Sequence, residues 1–172
     1  MYTTESGATE IDIELDNSDY LSPYLTIAVN GTVSVDWGDG TTASTVTGTS
    51  DTTLTYTLHE YATIGNYTIK ISVVSGYFAF FNASSVQASI LSVYSVDSNG
   101  NYNKAYTDTV KRIFIGDSTR IGSHAFIYCH SLQSITSPSS VTSISGTVFQ
   151  YCYSLRSITV PSGVTSISSY LF

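Results

Sequence analysis

A 23-residue unit is written twice near the C-terminal end of the chain, and this duplication constrains the fold more than any other feature. Residues 126–148 read FIYCHSLQSITSPSSVTSISGTV and residues 149–171 read FQYCYSLRSITVPSGVTSISSYL, with Phe172 standing where a third copy begins. Fifteen of the 23 aligned positions are identical. A unit this short cannot bury its apolar side alone, so a period in the twenties predicts a solenoid in which neighbours stack.

The repeat can be followed upstream of its two clear copies. Val110, Leu132 and Leu155 align, as do Ile113, Ile135 and Ile158, and Ile121, Ile144 and Ile167, with one residue deleted in the earliest copy. With Phe126, Phe149, Phe172, Val141 and Val164 these are the expected core positions. Cys129 and Cys152 occupy one slot in consecutive copies and read as compact buried thiols rather than a disulfide framework. Pro138 and Pro161 fall just after the short strand, where a missing N–H breaks no ladder.

The segments His124-Ala-Phe-Ile-Tyr-Cys129 and Phe149-Gln-Tyr-Cys152, with the Leu, Ile, Pro, Val and Ile positions that follow, resemble the BspA-like leucine-rich repeat family over residues 108–172. That resemblance implies a cell-surface or secreted protein of bacteria or protists, used in adhesion.

Charge is divided between the two halves. Residues 1–85 carry ten acids against Lys70 alone, a net of −9, and residues 86–172 carry three acids against five bases, a net of +2. Opposite signs suggest two modules, and an overall charge of −7 supplies no basic field for nucleic acid. Only 11% of the residues are charged, and the abundance of Ser, Thr and Tyr suits β-structure with hydroxyl-rich outer faces. No apolar run is long enough to span a bilayer.

In the first half, residues 10–15 alternate apolar and acidic, the period of a half-buried strand. Residues 25–29 and 33–37 read as two strands joined by a hairpin turn at Asn30-Gly31. Val35-Asp-Trp-Gly-Asp-Gly-Thr41 then reads as a tight turn, because two glycines flank an Asp that can accept backbone N–H groups. A short loop from Thr41 to Thr57 follows, then Thr57-Leu-His-Glu-Tyr61 and a strand over 65–73 that ends at Ser75-Gly76. These WGDGT, HEY and GNYTIKISV segments resemble the PKD domain over residues 25–74. The resemblance implies an immunoglobulin-like β-sandwich in which Trp37, Asp39, Gly40, Tyr61 and Tyr67 are structural. The expected architecture is mostly β: a PKD-like sandwich over 1–75, a junction and N-terminal cap over 76–109, and BspA-like repeats over 110–172. Within the junction, residues 90–96 read as a strand and 97–103 as a loop.

Catalytic chemistry has little support. His59, His124 and His130 have no recognisable nucleophile–base arrangement, and no phosphate-binding glycine loop or HExxH segment occurs. Asp36 and Asp39 fall short of the six to eight oxygens calcium takes, and Cys129 with His124 and His130 matches no tetrahedral zinc spacing. No enzyme activity, cofactor or metal is therefore expected. Binding remains. Lys111, Gln133 and Arg156 form one outward ladder across the repeats, and Phe114, Thr136 and Thr159 form another. Tyr128, Tyr151 and Tyr153 are recurrent and amphipathic, suited to an interface or to stacking on sugars. The expected partner is an extracellular or host protein or glycan, and the basic ladder suits an acidic one. The alternatives are a spacer module of a larger surface protein and a non-catalytic accessory module of a glycan-processing enzyme. Self-association through an uncapped last repeat is a further expectation, since Phe172 is a core position with no polar cap.

Overall fold

The computed structural model of the protein describes residues 7–16, 18, 21–80, 91–92, 95–96, 102–103, 109–116, 119–139, 141, 143–144, 146–167 and 171–172. Among the described residues there is no helix. Four long strands come first: β1 (Thr9–Leu15), β2 (Tyr24–Asp36), β3 (Ser44–Leu58) and β4 (Gly65–Phe80). Short strands follow: β5 (Leu91–Ser92), β6 (Ser95–Val96), β7 (Tyr102–Asn103), β8 (Val110–Phe114), β9 (Thr119–Ile121), β10 (Ser134–Thr136), β11 (Ser143–Ile144), β12 (Ser157–Thr159) and β13 (Ser166–Ile167).

One mixed sheet takes most of them, in the order β12-β10-β8-β1-β4-β2-β3, with β5 on β2 and β9 on β4. The strands β8, β10 and β12, one per repeat, pair parallel and in register, so that Ile113, Ile135 and Ile158 are neighbours. β11 and β13 pair parallel as a separate two-stranded sheet, and β6 and β7 form an antiparallel pair.

The two halves of the chain meet inside this sheet. β1 lies between β8 and β4, antiparallel to both. Its alternation of Ile11, Ile13 and Leu15 with Asp12 and Glu14 turns the isoleucines inward. The consequence is an unbroken row of isoleucine from β4 to the last repeat: Ile69, Ile11, Ile113, Ile135 and Ile158 are consecutive cross-strand partners. The first four are buried and Ile158 is partly so. A second seam is aromatic. Phe80 of β4 packs on Phe126 at 5.4 Å, Phe126 stacks on Phe149 at 5.6 Å, and Phe149 on Phe172 at 6.1 Å. Burial is strong in the first two copies of the repeat and fades in the last, where Ile167 and Phe172 are exposed.

Several strand limits differ from the sequence expectation. Asn30-Gly31 is not a hairpin turn; it lies inside β2, which runs on through it. Gly31 faces Gly48 of β3 on one side and Gly76 of β4 on the other. A methyl group on any of the three would overlap a neighbouring carbonyl: Ser75 for Gly31, Asn30 for Gly76 and Val29 for Gly48. Strand irregularities sit on either side of this line, between Ala28 and Asn30 and between Thr32 and Val33. Glycine is needed there for close backbone approach across three strands, a role that its local sequence does not separate from a turn. For the same reason Ser75-Gly76 does not end the strand, since β4 continues to Phe80. The segment read as a short loop between Thr41 and Thr57 is mostly β3, whose alternating threonines suit a sheet edge. The first repeat is flanked by β1, from the start of the chain, whereas the junction was expected to cover it. Of that junction, residues 81–90, 93–94, 97–101 and 104–108 lie outside the described residues, while Tyr102–Asn103, read as loop, is β7.

Candidate binding surface

The residues of the WGDGT and HEY segments in the first half are consumed by structure. Trp37 is fully buried and its Nε1–H donates to Ser44 Oγ at 2.9 Å. Asp36 Oδ1 accepts the Gly38 N–H at 2.9 Å, and Asp39 Oδ1 accepts from the Thr41 N–H at 3.1 Å and the Thr41 hydroxyl at 2.6 Å. The other Asp39 oxygen lies 2.7 Å from His59 Nε2, and the His59 ring stacks on Trp37 at 4.7 Å. Tyr61 donates from its hydroxyl to the Trp37 carbonyl at 2.9 Å, and Tyr67 packs on Tyr61 at 4.2 Å. Burial pushes the Asp39 carboxyl up, but the hydrogen bonds from Thr41 and His59 outweigh it and hold the group at about 2. Burial, reinforced by the nearby Asp39 charge, pushes the Tyr61 phenol well above its usual value. Gly40 is in the left-handed region with open space around it, so it serves the turn alone. Trp37, Asp39, Gly40, Tyr61 and Tyr67 thus form one packed turn.

The expected ladders form. Gln133 N–H donates to the Lys111 carbonyl at 2.8 Å and Arg156 N–H to the Gln133 carbonyl at 2.9 Å, which holds Lys111, Gln133 and Arg156 in line. Phe114, Thr136 and Thr159 are cross-strand partners, Phe114 half-buried and the two threonines exposed. The tertiary structure adds two things that the repeat alone does not contain. This second row continues past Phe114 through Glu10 and Lys70 to Asp36, across six strands. And the acids of β1 neutralise bases: Lys111 Nζ lies 3.2 Å from Glu14, Arg112 Nε donates to Asp12 at 2.6 Å, and Lys70 Nζ is 3.8 Å from Glu10. Part of the basic ladder is therefore already paired. Arg112 and Arg120 were not singled out in sequence. Arg120 lies 3.1 Å from Asp51 and 3.7 Å from the centre of the Tyr77 ring. Their partners are distant in the chain and have no local signature.

The tyrosines come together. Tyr128 and Tyr151 stack at 4.7 Å with their planes 10° apart, and His130 and Tyr153 stack at 5.2 Å and 22°. Edge contacts at 6.1 Å between Tyr128 and His130 and at 6.2 Å between Tyr151 and Tyr153 close a two-by-two panel of rings. His130 belongs with the candidates; its alignment with Tyr153 was the available signal. Tyr128 and Tyr151 have φ of 62° and 65°, and His124 and Thr147, one repeat apart, have φ of 56° and 60°. The left-handed region costs a residue with a Cβ roughly 1–2 kcal/mol, and the repeat carries that cost at the same two places in each copy. Inside the same turn, Phe126, Cys129 and Phe149 are buried and Cys152 is partly buried. Cys152 Sγ donates to the Phe126 carbonyl at 3.1 Å, and neither cysteine is in a disulfide. Burial pushes the Cys152 thiol up to about 12.

A mixed β-sheet ending in register-matched parallel strands of a short repeat, with a panel of stacked rings beside them, defines a repeat protein. The BspA type leucine rich repeat model matches residues 52–172 in six copies, more than half of the chain, and the chain belongs to that family. Such repeats often mediate protein–protein interactions at surfaces. The match begins inside β3, well upstream of the two full units and partial copies legible by eye. No curated protein and no solved structure matches the chain.

Proposed function

We propose that this is a non-catalytic protein of the cell surface or extracellular space, acting in adhesion by binding a host or extracellular protein or glycan through its repeat surface. The observation that carries the reading is the outward row Thr159, Thr136, Phe114, Glu10, Lys70 and Asp36, which presents one side chain per strand across both halves of the chain. A rigid sheet with in-register side chains offers a pre-ordered surface, so little conformational entropy is lost on binding. The N-terminal residues serve as a PKD-like module on this reading, supported by the Trp37–Asp39–His59–Tyr61 packing. No described helix is long and apolar enough to cross a membrane.

A glycan and matrix-protein array probed with the intact protein tests the reading. Binding that is weakened in the Thr136→Ala/Thr159→Ala double variant, which alters that outward row, is the expected result. An intact protein that binds nothing on either array leaves a spacer role in its place.

A further inference from the structure

We propose that two copies of the chain pair antiparallel along the outer edge of β3, about a twofold axis at Tyr56. The pairing is independent of the surface-binding reading above. Three observations lead to it.

The first is an open edge. β3 stands at one end of the sheet order, and among the described residues β2 is its only strand neighbour. An antiparallel strand paired on one side turns alternate N–H and C=O groups outward, where another strand can take them up. Leu54–Leu58 is a regular part of this edge, since all five residues stay in register with Tyr24–Ala28 of β2. Edge strands are ordinarily guarded by charge or by proline. Residues 52–58 contain neither, and Tyr56 is 59% and Leu58 51% exposed.

The second is self-complementarity. The stretch Leu54-Thr-Tyr-Thr-Leu58 reads the same in both directions. A twofold contact uses one surface twice, so each residue must suit the one that the same surface presents in return. Antiparallel pairing about Tyr56 sets Tyr56 against its own copy, Thr55 against Thr57 and Leu54 against Leu58. Side chains alternate along a strand, so Leu54, Tyr56 and Leu58 share one face and the two threonines the other. Aromatic pairs and threonine pairs are both favourable across strands.

The third is charge and continuity. Like charges directly opposite each other oppose pairing. The flanking acids Asp51 and Glu60 fall outside the paired stretch, and Asp51 is already engaged by Arg120 at 3.1 Å. The incoming strand repeats on the outer side of β3 the antiparallel ladder that β2 forms on its inner side. β3 and β12 stand at opposite ends of the sheet order, so the pairing leaves the repeat strands clear at the two far ends of a shared sheet. Five residues bury little area, which makes the dimer weak and reversible.

Sedimentation equilibrium of the full chain over a concentration series tests the proposal. The expected result is a reversible monomer–dimer equilibrium, weakened about tenfold or more in Tyr56→Lys, which sets two like charges across the axis. Because Tyr56 is exposed, that variant keeps the parent melting temperature at dilutions where both are monomeric. Cysteine reads the register, because opposed residues of an antiparallel pair lie about 4.5–5.5 Å apart at Cα, within disulfide reach. Tyr56→Cys should cross-link to its own copy under mild oxidation faster than Leu58→Cys, whose copies are displaced along the strands. A chain that stays monomeric throughout the series, a dimer unaffected by Tyr56→Lys, or equal cross-linking of the two cysteine variants overturns the proposal. So does a dimer dissolved by Ile167→Lys but not by Tyr56→Lys, which assigns self-association to the exposed last repeat.

Discussion

Ile11 of β1 lies directly opposite Ile113 of β8, a cross-strand pair in which both side chains are fully buried. This contact inserts the start of the chain into the repeat sheet and joins the two isoleucine runs on either side. Truncation at such a site removes buried methyl groups and leaves a cavity, so Ile11→Ala is expected to destabilise the protein by about 2–5 kcal/mol. Because the row is continuous, urea melts followed by Trp37 fluorescence and by far-ultraviolet circular dichroism should shift together. Separate transitions for the two probes would mean that the halves fold independently. The neighbouring Asp12–Arg112 pair is a contrast. Its guanidinium side chain is 51% exposed, so a double-mutant cycle should return no more than about 1 kcal/mol.

Gly31 and Gly40 both have positive φ, but their surroundings predict opposite outcomes. Alanine at Gly40 meets open space and suffers only the backbone penalty, about 1 kcal/mol. Alanine at Gly31 or Gly76 would collide with the carbonyl of the facing strand, and the sheet must separate to admit it. Gly31→Ala should therefore cost several times more than Gly40→Ala, with little soluble protein recovered. Equal melting temperatures for the two variants would show that the glycine line is not a close contact.

The Asp39 carboxyl is held at about 2 in the folded protein, against an ordinary value of 3.8. A depressed folded value means that the ionised carboxylate favours the native state. Its contribution is full above about pH 4 and is lost as pH falls towards 2. Denaturation profiles between pH 5 and 2 should show this loss, and Asp39→Asn should flatten that part of the profile. If the parent and the variant lose stability in parallel, the carboxylate does not carry the turn.

With its thiol pushed up to about 12, Cys152 should react slowly with Ellman's reagent in the native protein. Against an ordinary value of 9.0, the thiolate fraction at pH 8 falls roughly a thousandfold. The fully buried Cys129 should be slower still for lack of access. Both should react promptly in denaturant. Rapid stoichiometric labelling of the folded protein would contradict this placement of the repeat turn.

Much of the repeat was legible in the sequence. Its period, its core positions and the alignment of Lys111 with Gln133 and Arg156 all follow from one unit copied in register, since parallel strands of equal repeats place equal positions side by side. The alternation of residues 10–15 likewise identified β1 as a half-buried strand. The ring panel was half visible: three of its four members were recognised, while the left-handed turn that orients them is a backbone property that no residue type at 128 or 151 announces.

What the sequence determined by itself was local: which faces are apolar, where the unit repeats, and which side chains recur at one slot. Only the tertiary structure decided what β1 pairs with, that Asn30-Gly31 is a close crossing inside a long strand, and that the acids of the first half neutralise Lys111 and Arg112. The physical reason is the same in each case. Strand pairing and ion pairing join residues as much as a hundred positions apart, and their energies depend on backbone carbonyls and charges that the local sequence does not contain.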